Sequence, residues 1–253
     1  MGDATASVRE GAILIRPPRD TGEMRFGVDL QKQVWGYAEL DTVPDQMFVV
    51  ARESGGQVLF AFDQEKPIGF ALAFAAIDEG TVYLHSHMVG VVPAYQNRGV
   101  GRMLKLAQRD DAIARGINLI EWTFDPLQLR NAHFNLLRLG AVARRYIPNL
   151  YGRTSSPLHG GLPTDRLVAE WWIQSTRVAD ILSGKSVTGA SNRVRVSLPS
   201  TIREICVADV REAERIQKRV REEFERRFAE GCSAVGFEFD EQQSSYLLEP
   251  YED

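Results

Sequence analysis

Four apolar runs follow one another between residues 47 and 92: MFVVARE (47–53), QVLFAFD (57–63), PIGFALAFAAI (67–77) and TVYLHSHMVGVV (81–92). The first three are parted only by SGG and QEK. Gaps that short hold a tight turn and leave no room for a crossover helix, so the runs are expected to be antiparallel neighbours in one sheet. The period then changes. In NRGVGRMLKLAQRDDAIARG (97–116), Val100, Met103, Leu104, Leu106, Ala107 and Ile113 predict a helix that ends at Gly116. NLIEWTF (118–124) returns to strand and is broken by Asp125-Pro126, NAHFNLLRLG (131–140) predicts a second helix stopped by Gly140, and strands follow near 142–151 and 166–174.

Upstream, AILIR (12–16) predicts a strand that PPRD stops, and the apolar residues from Met24 to Leu40 predict one or two helices covering a sheet face. Residues 1–11 are small and polar, as a frayed end is. The order predicts an α/β fold: a central mixed, mostly antiparallel sheet with a parallel step in its middle, flanked by helices. Residues 176–192 read as a linker, and RVRVSL beyond them as a strand. Thr201 with Glu204, and Asp209 with Glu212, fit the helix-start capping pattern. A long helix is expected from about 209 to 230, with Val210, Ala213, Ile216, Val220 and Phe224 as its apolar stripe, and a hairpin after it. The domain reading is therefore a core at 1–175 and a C-terminal helix-plus-strand extension at 176–253. Val194, Val196, Phe237 and Leu247 at strand spacing favour packing of the extension on the core.

Composition removes several functions. The net charge of −4, and the seven basic and seven acidic residues balanced along 209–230, give no electrostatic case for nucleic acid. Cys206 and Cys232 are too few and too far apart for a disulfide framework or a zinc cluster. No apolar run reaches the roughly 20 residues of a membrane span, and no secretory signal precedes the first strand, so a soluble, cytoplasmic protein without membrane contact is expected.

Gln96-Asn97-Arg98-Gly99-Val100-Gly101-Arg102 joins a strand to a helix. Glycines let backbone approach a ligand, and the first free N–H groups of the helix present the positive end of its dipole, which together suit an anion. Arg98 and Arg102 add charge where phosphate oxygens would lie. The alternative is a tight connection that needs glycine for packing alone. The segment VGVVPAYQNRGVGRMLK resembles the acyl-coenzyme A site of the GNAT superfamily of N-acyltransferases, whose pattern of Gln or Arg, two residues, Gly, one residue, then Gly or Ala is matched by Gln96, Gly99 and Gly101. The resemblance implies that Val91 and Val92 meet the pantetheine arm, and that Gln96 through Arg102, with Val100 among them, cradle the pyrophosphate. NAHFNLLRLGAV resembles the family's later helix, which makes Asn131, with Phe134 and Asn135, candidates for the coenzyme's far side. For Asn131 a helix-capping role is the alternative. EWTFDPL, NAHFNLLRLGA, YG and GLPTDRLVAEWW resemble a set of long GNAT members, some of them similar to N-succinyltransferases that act on amino acids.

Half of the chain's four histidines, His85 and His87, lie on the strand before this turn. Two residues apart on an extended strand, they share a face. An alkylammonium acceptor must lose a proton before it can attack a thioester, and histidine titrates in the useful range. Their offsets from Gln96 resemble those of a paired-histidine strand in arylalkylamine N-acetyltransferases. Packing histidines with hydrogen-bonded rings are the alternative. Where the superfamily often carries a thiolate-protonating tyrosine, this chain has Leu136; Tyr146 and Tyr151 are candidates to replace it, or buried aromatics. Asp125 is a candidate to orient a histidine or bind an ammonium group, or a turn residue. Arg144, Arg145 and Arg153 are candidates for a carboxylate of acceptor or succinyl group. Trp122, Trp171 and Trp172 read as core or pocket wall.

The reading is a coenzyme A-dependent N-acyltransferase that moves an acetyl or succinyl group from acetyl-CoA or succinyl-CoA to a small-molecule amine or amino acid, with no metal. The alternative is a non-catalytic coenzyme-binding or assembly protein, in which the extension serves a partner or a homodimer contact.

Overall fold

Residues 13–152, 161–185 and 193–251 are described by a computed structural model. Two compact units result, Met1–Ile117 and Asn118–Asp253. In the first, β1 (Leu14–Arg16), β2 (Gln57–Asp63), β3 (Lys66–Asp78) and β4 (Thr81–Val91) pair antiparallel in that order. Two-residue turns join β2 to β3 and β3 to β4. At the second, Glu79 and Gly80 both have positive φ, 46° and 83°, which matches the right-handed twist of a hairpin.

Among its described residues the α-helices are α1 (Arg25–Trp35), α2 (Asp45–Glu53) and α3 (Val100–Ala114). Met24, Leu30, Phe48, Phe60, Ile68, Phe70, Leu72 and Leu104 are buried together. At α2 the structure corrects the sequence reading, since MFVVARE is helical. Pro44 stands extended at its start and Asp45 occupies the first turn, where a carboxylate meets the dipole favourably. Phe48 and Ala51, three apart, are fully buried, whereas Val50 between them is 51% exposed. The β-branched pair Val49-Val50 suggests a strand, but the inward residues follow the helical period. Phe48 packs so closely on α1 that a Cβ added at Gly27 would lie 2.4 Å from its ring. Between the two helices, the buried Gln31 amide bonds the Gly27 and Val43 carbonyls and accepts the Val43 N–H.

The second unit holds β5 (Leu119–Phe124), β6 (Val142–Ile147), β7 (Arg166–Trp172), β8 (Val194–Pro199), β9 (Cys232–Glu238) and β10 (Gln243–Pro250), ordered β5-β7-β6-β9-β10-β8. Its helices are α4 (Leu129–His133), α5 (Thr176–Leu182), α6 (Ile202–Ala208) and α7 (Val210–Ala229). After α4 the chain widens into a π-helix, Phe134–Leu139, closed by Gly140 in the left-handed region. Arg177 of α5 donates to the Leu136, Gly140 and Val235 carbonyls, which satisfies the end of that wide turn. The linker reading is thus corrected at 176–182, which are helical behind a Ser175 cap; 186–192 lie outside the described residues.

Asp209 caps α7 by accepting the Glu212 N–H, as its spacing predicts, while Thr201 makes no side-chain cap on α6. Of the predicted α7 stripe, Ala213, Ile216, Val220 and Phe224 are buried and Val210 is 43% exposed. Asp165, fully buried just before β7, holds this helix: both its oxygens accept from Arg221 at 2.8 Å, and it also accepts from the Tyr146 hydroxyl and the Asn149 N–H. Phe224, Phe237 and Tyr246 meet edge to face beneath it, and the Tyr246 hydroxyl donates to the Pro126 carbonyl at 2.7 Å.

Candidate functional site

β4 runs out at Val91. Val92, 6% exposed, gives its N–H to the Ile68 carbonyl, so that amide is engaged inside the sheet. Pro93–Tyr95 make one 3-10 turn, and the Gln96 amide reaches back to the Val91 carbonyl at 3.0 Å, tying the turn to the strand end. Asn97 and Gly99 both take positive φ, 60° and 82°. A residue with a side chain is strained at such an angle, so Gly99 has a backbone reason to be glycine.

Gly101 has none. It lies inside the first turn of α3 without a positive φ, and a Cβ built on it meets no atom within 4 Å. Gly99 opens on the same empty surroundings. Packing alone therefore does not explain the pair. A glycine within a helix costs about 0.5–1 kcal/mol relative to alanine. What the missing Cβ does supply is open space over the start of α3, where no side chain caps the helix and the first intrahelical bond runs from Met103 N–H to Gly99 C=O. The N–H groups of Val100, Gly101 and Arg102 precede that bond. Arg98, exposed, stacks its guanidinium over the Tyr95 ring, and the Tyr95 hydroxyl is anchored on Asp63 at 2.5 Å. The result is a bare, cationic helix start whose backbone an anion can approach, and these residues fit the pyrophosphate of a coenzyme.

The histidine strand carries an irregularity that sequence spacing does not reveal. Opposite β3, Leu72 pairs with Met88 and Ala73 with Ser86, so His87 is the extra residue of a β-bulge. The His85 and His87 rings lie 6.2 Å apart, and Phe74 packs edge-on to His87 at 5.7 Å. Ser86 between them points to α3, where its hydroxyl meets the Lys105 Nζ at 2.8 Å and the Gln108 Oε1 at 3.0 Å. The bulge reverses the alternation of faces. Gly90 looks at Trp35 and Phe70, whereas Val91 lies with Leu104 of α3. His85 is half-buried and His87 keeps an open edge, yet the protein around both withdraws enough water to push their pKa values below the ordinary 6.5; His87 and Lys105 add repulsion at His85. Both shifts favour the neutral imidazole, the form that can accept a proton.

Lys105 and Gln108 are absent from the sequence-predicted site, although a signal is there. They fall one turn and two turns beyond Gly101 and Val100, among the buried positions Val100, Leu104 and Ala112, where an apolar face would be expected to continue. Lys105 is only 3% exposed, and burial drives its pKa well down.

In the second unit, the Asp125 carboxylate accepts the Leu127 N–H at 2.8 Å, the bond of a turn residue, and desolvation raises its pKa. Asn131 is exposed and is the third residue of α4; Gln128 holds the N-cap position, which corrects the capping alternative. Phe134 is half-buried, and Asn135 and Leu136 are buried in the π-helix. Arg144 pairs with Glu170 at 3.1 Å, and Arg145 makes two bonds to Glu121 at 2.7 and 2.8 Å. Tyr146 is committed to Asp165, while Tyr151, 51% exposed, shares a hydrogen bond with the Thr123 hydroxyl at 3.0 Å. Trp171 is fully buried with its indole N–H on the Leu139 carbonyl, and Trp122 meets it edge-on. Arg153 and His159 lie outside the described residues. Among the described residues no cluster of three potential metal ligands occurs, and no helix is long and apolar enough to cross a membrane.

Residues 23–140 match the family model described as "Acetyltransferase (GNAT) family". That stretch is a domain of the GNAT superfamily. The ribosomal-protein-S18-alanine N-acetyltransferase of Escherichia coli is similar in fold, with 15% identity and a TM-score of 0.53, over 72% of this chain and 99% of its own. Arabidopsis thaliana Naa50 in complex with the bisubstrate analogue CoA-Ac-MVNAL matches at 17% identity and a TM-score of 0.50, over 62% and 97%. Arabidopsis thaliana NAA60 in complex with acetyl-CoA matches at 14% and 0.51, over 64% and 99%. At these identities the likeness is one of fold. The comparison with curated proteins gives no match. GNAT membership supports acyl transfer from coenzyme A to an amine as the class of reaction.

Proposed function

We propose that this chain moves an acetyl or succinyl group from coenzyme A to the amine of a small molecule, an amino acid among the candidates, with His85 or His87 as the base. The observation that carries the proposal is Gly101, a helix-weakening residue over open space for which neither packing nor backbone angle accounts. Val100, Gly101 and Arg102 offer their N–H groups to the pyrophosphate, with the Arg98 and Arg102 guanidinium groups beside them. Val91 meets the pantetheine arm through its backbone; Asn131, Phe134 and Asn135 are assigned to the coenzyme by the family pattern alone. The bound thioester supplies an activated acyl carbon.

A neutral imidazole nitrogen of His85 or His87 takes the proton from the acceptor's ammonium group and frees the lone pair that attacks. Their depressed pKa values keep them unprotonated for that task. Buried Leu136 provides no acid for the leaving sulfur, which is consistent with a thiol's own acidity being sufficient. Asp125 and Tyr146 are bonded elsewhere and take no part in the proposed chemistry.

Thiol release tests this, using acetyl- and succinyl-coenzyme A against a panel of amino acids, arylalkylamines and a short peptide, with wild type and a His85→Ala/His87→Ala variant. Turnover that collapses in the variant while coenzyme binding persists is the expected result. Tight coenzyme binding without turnover across the panel favours the non-catalytic coenzyme-binding protein.

A further inference from the structure

The least ordinary residue of the first unit, after Gly101, is Lys105. A lysine side chain on the buried face of α3 has given up its hydration, and a methionine would fill the same volume without that penalty. Its Nζ lies 2.8 Å from the Ser86 hydroxyl, and Ser86 stands between the two histidines at the bulge where β4 slips against β3. The same hydroxyl donates to the Gln108 Oε1, and the Gln57 amide of β2 donates to the main-chain carbonyl of Gln108 and to the Asp111 carboxylate, the latter at 2.5 Å. A chain of buried polar groups therefore runs from β2 through α3 to the point on β4 where the backbone is irregular.

A bulge gives up part of the ladder and needs some other restraint to hold a single geometry. Lys105 lies one helical turn beyond Gly101, so the bond to Ser86 joins the helix that opens with the glycine turn to the strand that carries the histidines.

We propose that Lys105 is a positioning residue: through Ser86 it fixes the bulge at His87 and holds both imidazoles on one face, at a set distance from the glycine turn. It touches neither the coenzyme nor the acceptor in this account. The assignment rests on the acyltransferase reading for its purpose, but its geometry stands apart from that reading. The groups that face His85 are His87 on its own strand, Lys105 on α3 and the uncharged Phe74 on β3. Loss of water lowers the His87 pKa as well, and the repulsion between the two rings acts on both.

The test begins with Lys105→Met in the full chain, followed by NMR titration of the histidine imidazoles in the absence of any ligand. The expected result is a displaced His85 midpoint and a changed His85–His87 ring proximity, with a melting temperature equal to or above that of the wild type. In the thiol-release assay kcat falls at least tenfold while the KM for acyl-coenzyme A stays within twofold. Unchanged histidine titration together with unchanged kcat overturns the proposal. Should Lys105→Met fail to fold, Ser86→Ala decides: it removes the hydroxyl and leaves the lysine, and an unperturbed His85 and His87 in that variant overturns the proposal equally. Because the titration needs no substrate, a protein without acyl transfer activity leaves that arm intact, and the two readings fail separately.

Discussion

Gly99 and Gly101 stand two residues apart in one turn, and the structure gives their alanine variants opposite signs. At Gly99 the backbone sits at φ +82°, where a Cβ meets the following carbonyl; Gly99→Ala is expected to destabilise by roughly 1–2 kcal/mol. At Gly101 the backbone is helical and nothing lies within 4 Å of the new methyl group. Alanine there restricts the unfolded chain and strains no neighbour, so Gly101→Ala is expected to stabilise by up to about 0.5–1 kcal/mol. For a chain of this size, that corresponds to a melting temperature raised by roughly 1–4 °C. The same methyl group fills the space over the first N–H groups of α3, and coenzyme A affinity is expected to fall about tenfold or more, some 1.4 kcal/mol or greater. Thermal unfolding of the ligand-free proteins and calorimetric titration with coenzyme A measure both effects on one preparation. A Gly101→Ala protein that melts lower than wild type would show that the residue is required by its surroundings. One that melts higher and binds coenzyme A unchanged would show that the open space is not where the anion lies. Either result refutes the reasoning.

Three further outcomes follow from the buried groups. His85 and His87 have folded pKa values below 6.5, so the unfolded chain binds more protons; the stability they protect is present above pH 6.5 and is lost as pH falls through that value toward the folded pKa. Urea midpoints at pH 7.5 and 5.5 are expected to differ less in His85→Ala/His87→Ala than in wild type, with His133, also depressed by burial, keeping part of the difference. Asp165→Ala strands Arg221 and removes an acceptor from the Tyr146 hydroxyl and the Asn149 N–H; a loss of about 3–5 kcal/mol is expected in denaturant titration. Asp209→Ala removes the α7 cap and is expected to cost about 1 kcal/mol, and an unchanged melting temperature would show that the cap bond contributes nothing.

The strands were the most legible part of the chain, because alternation and short polar gaps are local facts. β2, β3 and β4 lie close to the runs that announce them. α2 was not legible, since MFVVARE offers β-branched residues and its decisive feature is the fit of Phe48 against Gly27, a contact 21 residues away in sequence. The bulge at His87 was hidden for a related reason. Register belongs to a pair of strands, and one strand's sequence cannot state it. The glycine turn was readable as a motif, but only the surroundings of Gly101 separate a ligand's space from a packing requirement.

Lys105 and Gly101 share a logic that links them to function more firmly than either does alone. Each breaks a local rule of α3: one puts the most flexible residue into a helix, the other puts an ionisable amine on its buried face. Sequences that fold well keep local preference and global structure in agreement, and departures concentrate where a site requires them. These two departures are four residues apart, so they occupy successive turns on one side of the helix. Their directions differ in an informative way. Gly101 withdraws atoms from the outer end, where an anion is to be admitted, whereas Lys105 inserts a polar group inward, where a strand is to be held. A helix serving only to cover a sheet needs neither feature, and a helix that only binds an anion needs the first without the second. In the proposed function, the presence of both makes α3 the link between the glycine turn and the histidine strand.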